Sequence, residues 1–443
     1  MAPRTPVTPV KETPQVPRWS RPTRVAFRFC FVYFGLYCFA TQIAGGLILF
    51  PKFSFPSLGD RWPMRQITFW LAGNLFRVTT PLVYRGNSGD TTFHWVQTFW
   101  LLVFSALVAA IWSRLDRRGA HDLALHKWFR LFIRFGLAAQ MFYYGLAKVI
   151  PTQFPAPSLV TLVEPVGNLS RTDLLWTFIG ASTAYQIFTG CAEVLAGLLL
   201  AVPRTTILGA LICLADMVQV FALNMAYDFG LKQISFHLIL MSLFLLAPDF
   251  RRLANVLFLD RATGPSSQPP LFRTRRANRV ALAAQILFAV YLVGMFTRLA
   301  LGYWLAEGGG GGPKSALYGI WDVEQLSIDG QLRPPIFNDY DRRWRRVIFD
   351  SPSRMVFQRT DDSFAHYGAG IDLSGHSIAL TKGNSRSWQS TFTFRRPAAD
   401  HLILDGDMDG HKIHMELQLV EFDSFRLLNS GFRWIRPPDP FGG

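Results

Sequence analysis

The sequence predicts a mainly α-helical, multi-pass membrane bundle of about seven spans, followed by a C-terminal antiparallel β-barrel or sandwich domain. Three observations predict it: seven long apolar stretches, loops between them that alternate between rich and poor in Lys and Arg, and a switch to short period-two runs after five consecutive glycines. The 443 residues are half hydrophobic and include 39 Phe, a bias expected where helix surfaces meet lipid. The net charge of +15 lies mainly beside the ends of apolar runs. That placement argues for membrane flanks and against a nucleic-acid partner.

Residues 1–24, rich in Pro, Thr and basic side chains, read as a disordered cytoplasmic N-terminus. The first apolar run is too long for a cleaved signal peptide and lacks a small-residue cleavage site. The spans read as 25–50, 93–113, 126–150, 174–201, 205–225, 234–248 and 279–304, of which the sixth is short for a bilayer. Residues 62–80 form a weaker stretch expected in the interface or re-entering the membrane. These spans divide into N-terminal membrane helices at 25–125, a four-helix core at 126–250, a basic loop at 251–278 and a last span at 279–306.

Twenty Lys and Arg fall on one set of loops and seven on the other. The asymmetry orients the chain in a bacterial plasma (inner) membrane, N-terminus in the cytoplasm and C-terminus outside. The four cysteines, Cys30, Cys38, Cys191 and Cys213, all fall in apolar runs, so no disulfide framework is expected.

Residues 307–316, with glycine at 308 to 312, read as a flexible linker. From 317 to 443 the runs Trp344–Phe349, Met355–Gln358, Ser377–Leu380, Trp388–Phe394 and Lys412–Val420 alternate apolar and polar residues. Turn signals such as Asp329-Gly330 and Asp409-Gly410 separate them, giving about eight antiparallel strands.

Ionisable groups at membrane depth are costly and mark function or a structural pair. On the third span Gly136, Gln140, Tyr144 and Lys148 recur every four residues and form one stripe, with Arg134 near the same face. On the fourth, Ser182, Gln186, Gly190, Glu193 and Gly197 form a second small-and-polar stripe, expected to face the first. At ~1.5 Å per residue, Arg134 and Glu193 lie level at roughly 12 Å from the cytoplasmic ends of their helices. An Arg134–Glu193 ion pair is therefore expected, joined by Asp216 on the fifth span. Lys148 reads as too near the outer end to reach Glu193, with Asp228, Gln153 and His237 as its candidate partners. The catalytic candidates are thus Lys148, His237 and Asp228, and the structural polar core is Arg134, Glu193 and Asp216.

The run from Arg134 through Gly136 to Gly145-Leu146-Ala147-Lys148, with Glu193 and Gly197 on the next span, resembles the helices of the DoxX family. Residues 126–248 resemble that family's four-helix core. The stretches Thr152–Pro155, Leu175–Phe178 and Asn224–Lys232, with Gly86–Thr91, resemble a larger bacterial DoxX-like subgroup. The resemblance implies a fold and a loose link to membrane redox chemistry. Tyr143–Lys148 is also similar to a helix of the vitamin K-dependent carboxylase group, which would make Lys148 a base in quinol chemistry. This chain departs from that pattern at Tyr144. Gly319-Ile320-Trp321 resembles the Gly-x-Trp of lipocalin-type barrels, which would imply a hydrophobic ligand in the β domain.

Asp405 to Glu416 has the spacing of an EF-hand loop, but its flanks read as strands, so a hairpin is expected instead. The histidines of the β region do not form a supported zinc site. No P-loop, GxSxG, flavin, haem or iron–sulfur motif is present. No cofactor is evident except a quinone as expected ligand, and the sequence carries no decisive catalytic signature. The leading expectation is a lipophilic, quinone-like ligand in a redox process, with the bilayer and a redox protein as partners. The alternatives are a membrane-anchored scaffold whose outer β domain binds a lipid or protein, a proton-coupled transporter using Glu193 and Asp216, and carboxylase-like quinol chemistry.

Overall fold

A computed structural model describes residues 19–50, 53–84, 89–119, 121–264, 270–335, 343–383, 385–429, 431 and 434–435. Most of the expected N-terminal segment and the chain's last residues lie outside these, as does part of Gly86–Thr91. In chain order the main helices are α1 Arg21–Ala40, α2 Met64–Asn74, α3 Thr92–Leu115, α4 Asp122–Val149, α5 Arg171–Gly180, α6 Thr183–Ala201, α7 Thr206–Ala226, α8 Lys232–Leu246, α9 Phe250–Leu257 and α10 Arg275–Leu305. The strands of the C-terminal domain are β1 Gly319–Ile328, β2 Trp344–Phe349, β3 Arg354–Arg359, β4 Phe364–Asp372, β5 Ser377–Lys382, β6 Ser385–Ala398, β7 His401–Met408 and β8 His411–Leu419.

Among the described residues six helical segments are long and apolar enough to cross a membrane: 21–40, 92–115, 183–201, 206–226, 232–257 and 275–305. Seven spans were expected. The third, 126–150, is a 28-residue helix here, and its ionisable residues keep it out of that apolar set. The expected fourth span, 174–201, is two helices. α5 ends at Gly180, and Ser182 caps α6 by accepting a hydrogen bond from the Tyr185 amide. The weak stretch at 62–80 holds the 11-residue α2, about 16 Å long and too short to span.

The chain divides into two compact units. The first comprises residues 1–48, 54–136 and 247–281. Within it α1 is tied to the α3–α4 corner by Arg28, which is 1% exposed. Its guanidinium bonds both oxygens of Asp122 and the Asp116 carboxylate at 2.8 Å, and donates to the Trp112 and Asp116 carbonyls. The Trp112 ring lies 4.9 Å from its centre.

The second unit comprises residues 49–53, 137–246 and 282–443. Its β domain is a closed barrel, not a sandwich. The eight strands pair with their chain neighbours in an up-and-down meander, and β8 pairs with β1 from Ile413↔Ile328 to Leu419↔Trp321. Closure leaves no long free edge. Alternate residues point inward: Leu402, Leu404 and Met408 on β7, and Ile413, Met415 and Leu417 on β8, are buried. Together with Trp321, Phe357 and Phe392 they fill the interior as one apolar core. Trp321 is fully buried, donates from Nε1 to the Leu317 carbonyl, and lies under the Arg396 guanidinium. The run with EF-hand spacing forms the β7–β8 hairpin, in which Met408 pairs with His411 across Asp409-Gly410.

The glycine run is compact rather than an open linker. Gly309 and Gly311 donate to the Ala306 and Trp304 carbonyls, so the run folds back on the end of α10. A Cβ on Gly310 would lie 2.1 Å from the Trp304 ring, and one on Gly311 2.2 Å from it. Glycine is required there because the backbone wraps an indole at contact distance. The barrel also rests on the segment between α4 and α5. A short helix, Leu159–Val163, packs on Ile320, Ile348 and Val356, and Gln358 donates from Nε2 to the Val163 carbonyl.

Candidate functional site

The site begins at the crossing of α4 and α6. A Cβ on Gly190 would lie 2.6 Å from the Gly145 carbonyl and 2.7 Å from the Lys148 Cβ. Two glycines thus bring the backbones together as small residues do in membrane helix pairs. Gly190→Val is expected to destabilise the protein by about 1–3 kcal/mol through overpacking. Chemical denaturation in detergent checks this, and a variant as stable as wild type would refute the tight crossing.

One turn from this contact the Lys148 ammonium donates to both oxygens of Glu193, at 2.6 and 2.7 Å. Lys148 is 8% exposed and Glu193 1%. This corrects the expectation that Lys148 lies too far out to reach Glu193, and with it the expected Arg134–Glu193 pair. The depth estimate took α4 as ending at a membrane face. Instead α4 ends beneath a roof built from residues 150–181, so Lys148 is interior. Arg134 stands fourteen residues earlier on the helix, about 21 Å of rise, and its guanidinium lies 5.3 Å from the Phe135 ring.

The roof is held by specific bonds. The Gln153 amide donates to the Ala147 carbonyl at the end of α4. Gln186, fully buried on α6, brackets the Phe154 backbone, its amide donating to the Phe154 carbonyl at 2.8 Å and accepting from its N–H at 3.1 Å. The Phe154 ring packs on Trp176 of α5, and Trp176 on Phe229, at centroid distances of 4.7 and 4.4 Å.

Beneath this roof is a cavity of ≈ 70 Å³ lined by Lys148, Glu193, Asp216 and Gln153, by further polar residues including Gln219 and Asn224, and by apolar side chains. The Asp216 carboxyl lies beside Glu193 in this lining, and its Oδ2 has no partner. Gln153 Oε1 is likewise buried without a partner. One cation therefore faces two acids, and two acceptor oxygens await donors.

The other candidates lie elsewhere. Asp228 was a candidate partner of Lys148. Its side chain is 84% exposed and pairs with Lys232 at 2.7 Å, one turn along. Lys232 holds the Asp228 carboxyl below the usual carboxylate range. The left-handed backbone at Asp228, φ 52°, belongs to the turn leaving α7. His237 is buried on α8, its Nδ1 bonded to the Gln233 carbonyl of its own helix, and it is not among the residues lining the cavity.

Three loop and helix stretches far apart in sequence converge here. Gln153 and Phe154, then Leu175 and Trp176, then Asn224 and Phe229 all line the cavity. No spacing rule links them, and only the fold brings them to Lys148.

No protein-family profile matches the chain, and no solved structure matches it. The chain is similar to the uncharacterized protein YwoB of Bacillus subtilis (strain 168), 38% identical over 128 residues, which are 29% of this chain and 79% of that protein. Identity at that level over most of the relative's length reflects common descent, and the chain belongs to the family of YwoB.

Proposed function

We propose that this is a multi-pass protein of a bacterial plasma membrane whose DoxX-like core binds a lipophilic, quinone-like molecule in a membrane redox process. The observation that carries the reading is the cavity that joins the Lys148–Glu193 pair and Asp216 to Gln153, Trp176 and Phe229. A buried ion pair beside an apolar, aromatic-walled space is the arrangement expected of a small-molecule site. The six apolar helical segments and the Lys/Arg asymmetry support membrane insertion with the N-terminus in the cytoplasm and the barrel outside.

In this reading Lys148 acts as a donor rather than a base. Two of its three N–H groups go to Glu193, and the third is left to polarise a ligand oxygen. The chain carries no flavin, haem or iron–sulfur motif, so electrons pass to or from a partner protein. Native mass spectrometry of the detergent-purified protein with lipid extract tests the reading. Wild type is expected to retain a small molecule that Lys148→Ala loses. Retention of nothing by wild type would overturn it.

One observation favours a second reading, transport coupled to protons: Asp216 lies beside Glu193 with one oxygen unpartnered. Flux into vesicles that depends on pH and vanishes in Asp216→Asn would support that reading instead.

A further inference from the structure

The cavity at Lys148 has a neighbour. A larger cavity of ≈ 460 Å³ lies among the end of α4, the end of α10 and the first glycines of the wrapped run. Both cavities are lined by Tyr144, Gln153, Trp176 and Phe229. The small polar space and the large one adjoin at these four side chains. The larger space is bounded by Tyr143, Phe296, Leu299 and Tyr303, and its volume falls in the range of spaces that hold drug-sized ligands.

We propose that the two cavities are the two ends of one site for an amphiphile with a hydroxylated aromatic head and an apolar body. The hydroxyl reaches into the small cavity, the ring lies at the four shared side chains and the body fills the large cavity. This rests on the ligand-binding reading above and narrows it to a ligand class.

The head is identified by what the small cavity lacks. Asp216 Oδ2 and Gln153 Oε1 are buried acceptors without donors, and each costs free energy until a donor reaches it. The remaining N–H of Lys148 is a donor in the same space. A hydroxyl both donates and accepts, so it takes the Lys148 N–H and gives its own proton to one of the two acceptors. An ether or ketone oxygen only accepts, which serves Lys148 and leaves the two acceptors unmet, so of a quinone and its quinol the quinol is the form that fits. A protonated amine donates but has no lone pair, so it leaves the remaining Lys148 N–H without an acceptor. Trp176 and Phe229, which line both spaces, favour an aromatic ring next to the hydroxyl.

The test uses the full-length protein in detergent with two probes that differ in one donor, 4-nonylphenol and 4-nonylanisole. A third probe, 4-ethylphenol, keeps the head and shortens the body. Dissociation constants are read by native mass spectrometry. Wild type is expected to bind the phenol about tenfold more tightly than the anisole, the value of one buried hydrogen bond. Asp216→Ala is expected to bring that ratio close to one. Ala306→Trp places a large ring in the larger cavity, at an exposed position away from the small one. It is expected to weaken 4-nonylphenol about tenfold and to leave 4-ethylphenol within about twofold. Equal binding of phenol and anisole by wild type would overturn the hydroxylated head. Unchanged binding of 4-nonylphenol by Ala306→Trp would overturn the two-part site. If wild type binds none of the probes and retains nothing from lipid extract, the ligand-binding reading itself fails.

Discussion

Glu193→Ala is expected to destabilise the protein by about 3–5 kcal/mol, the usual cost of leaving one member of a buried ion pair without its partner. Glu193 is 1% exposed and accepts two short bonds from one ammonium, so its removal strands a charge that water does not reach. Asp216 lies close by, but α7 holds it and it lies beside the Glu193 carboxyl rather than replacing it. The converse change should be far milder. Exchanging both partners for apolar side chains, Lys148→Met with Glu193→Leu, is expected to recover most of the loss, because neither residue then carries an unpaired charge. Denaturation in detergent of wild type, both single variants and the double variant measures the coupling between them. A double variant no more stable than Glu193→Leu alone would refute the account. The same four proteins separate structure from function: the double variant should fold and yet retain no ligand.

Arg28→Ala is expected to cost a similar amount, about 3–5 kcal/mol, in the other unit of the chain. Arg28 bonds two carboxylates and two carbonyls, and Asp122 is itself 2% exposed. Its loss leaves Asp122 buried without its cation and unties α1 from the α3–α4 corner. Arg28→Lys is expected to recover less than half, because an ammonium is a point donor and does not serve two acids and two carbonyls from one plane. Denaturation midpoints in detergent decide this. A lysine variant indistinguishable from wild type would show that charge alone suffices.

The glycine run shows how local chemistry and tertiary context diverge. Five glycines in a row read as slack, since glycine is the least restricted residue. Here they are the backbone that fits around Trp304, an indole that precedes them by a few residues. The same composition serves flexibility or close packing, and only the neighbouring ring distinguishes them. Arg28 shows the same divergence. An arginine near the start of an apolar run looks like a membrane flank, and nothing in its spacing announces Asp116 and Asp122, about ninety residues on.

What was legible in the chain was whatever depends on neighbours close in sequence. Apolar run length marked the helices that can span a membrane, and period-two alternation with Asp-Gly turns marked the strands of the β domain. The ionisable residues of the site, Lys148, Glu193 and Asp216, stood out because charge in an apolar run is rare at any register. Which of them meet was decided by the fold. Partner choice depends on how far one helix is offset along another and on what covers its end. Those offsets are set by the Gly145–Gly190 crossing and by the roof over Lys148, contacts between residues tens of positions apart. A depth count along single helices has no access to either. Barrel closure belongs to the same class, because pairing of the first strand with the last is a contact about ninety residues long in sequence.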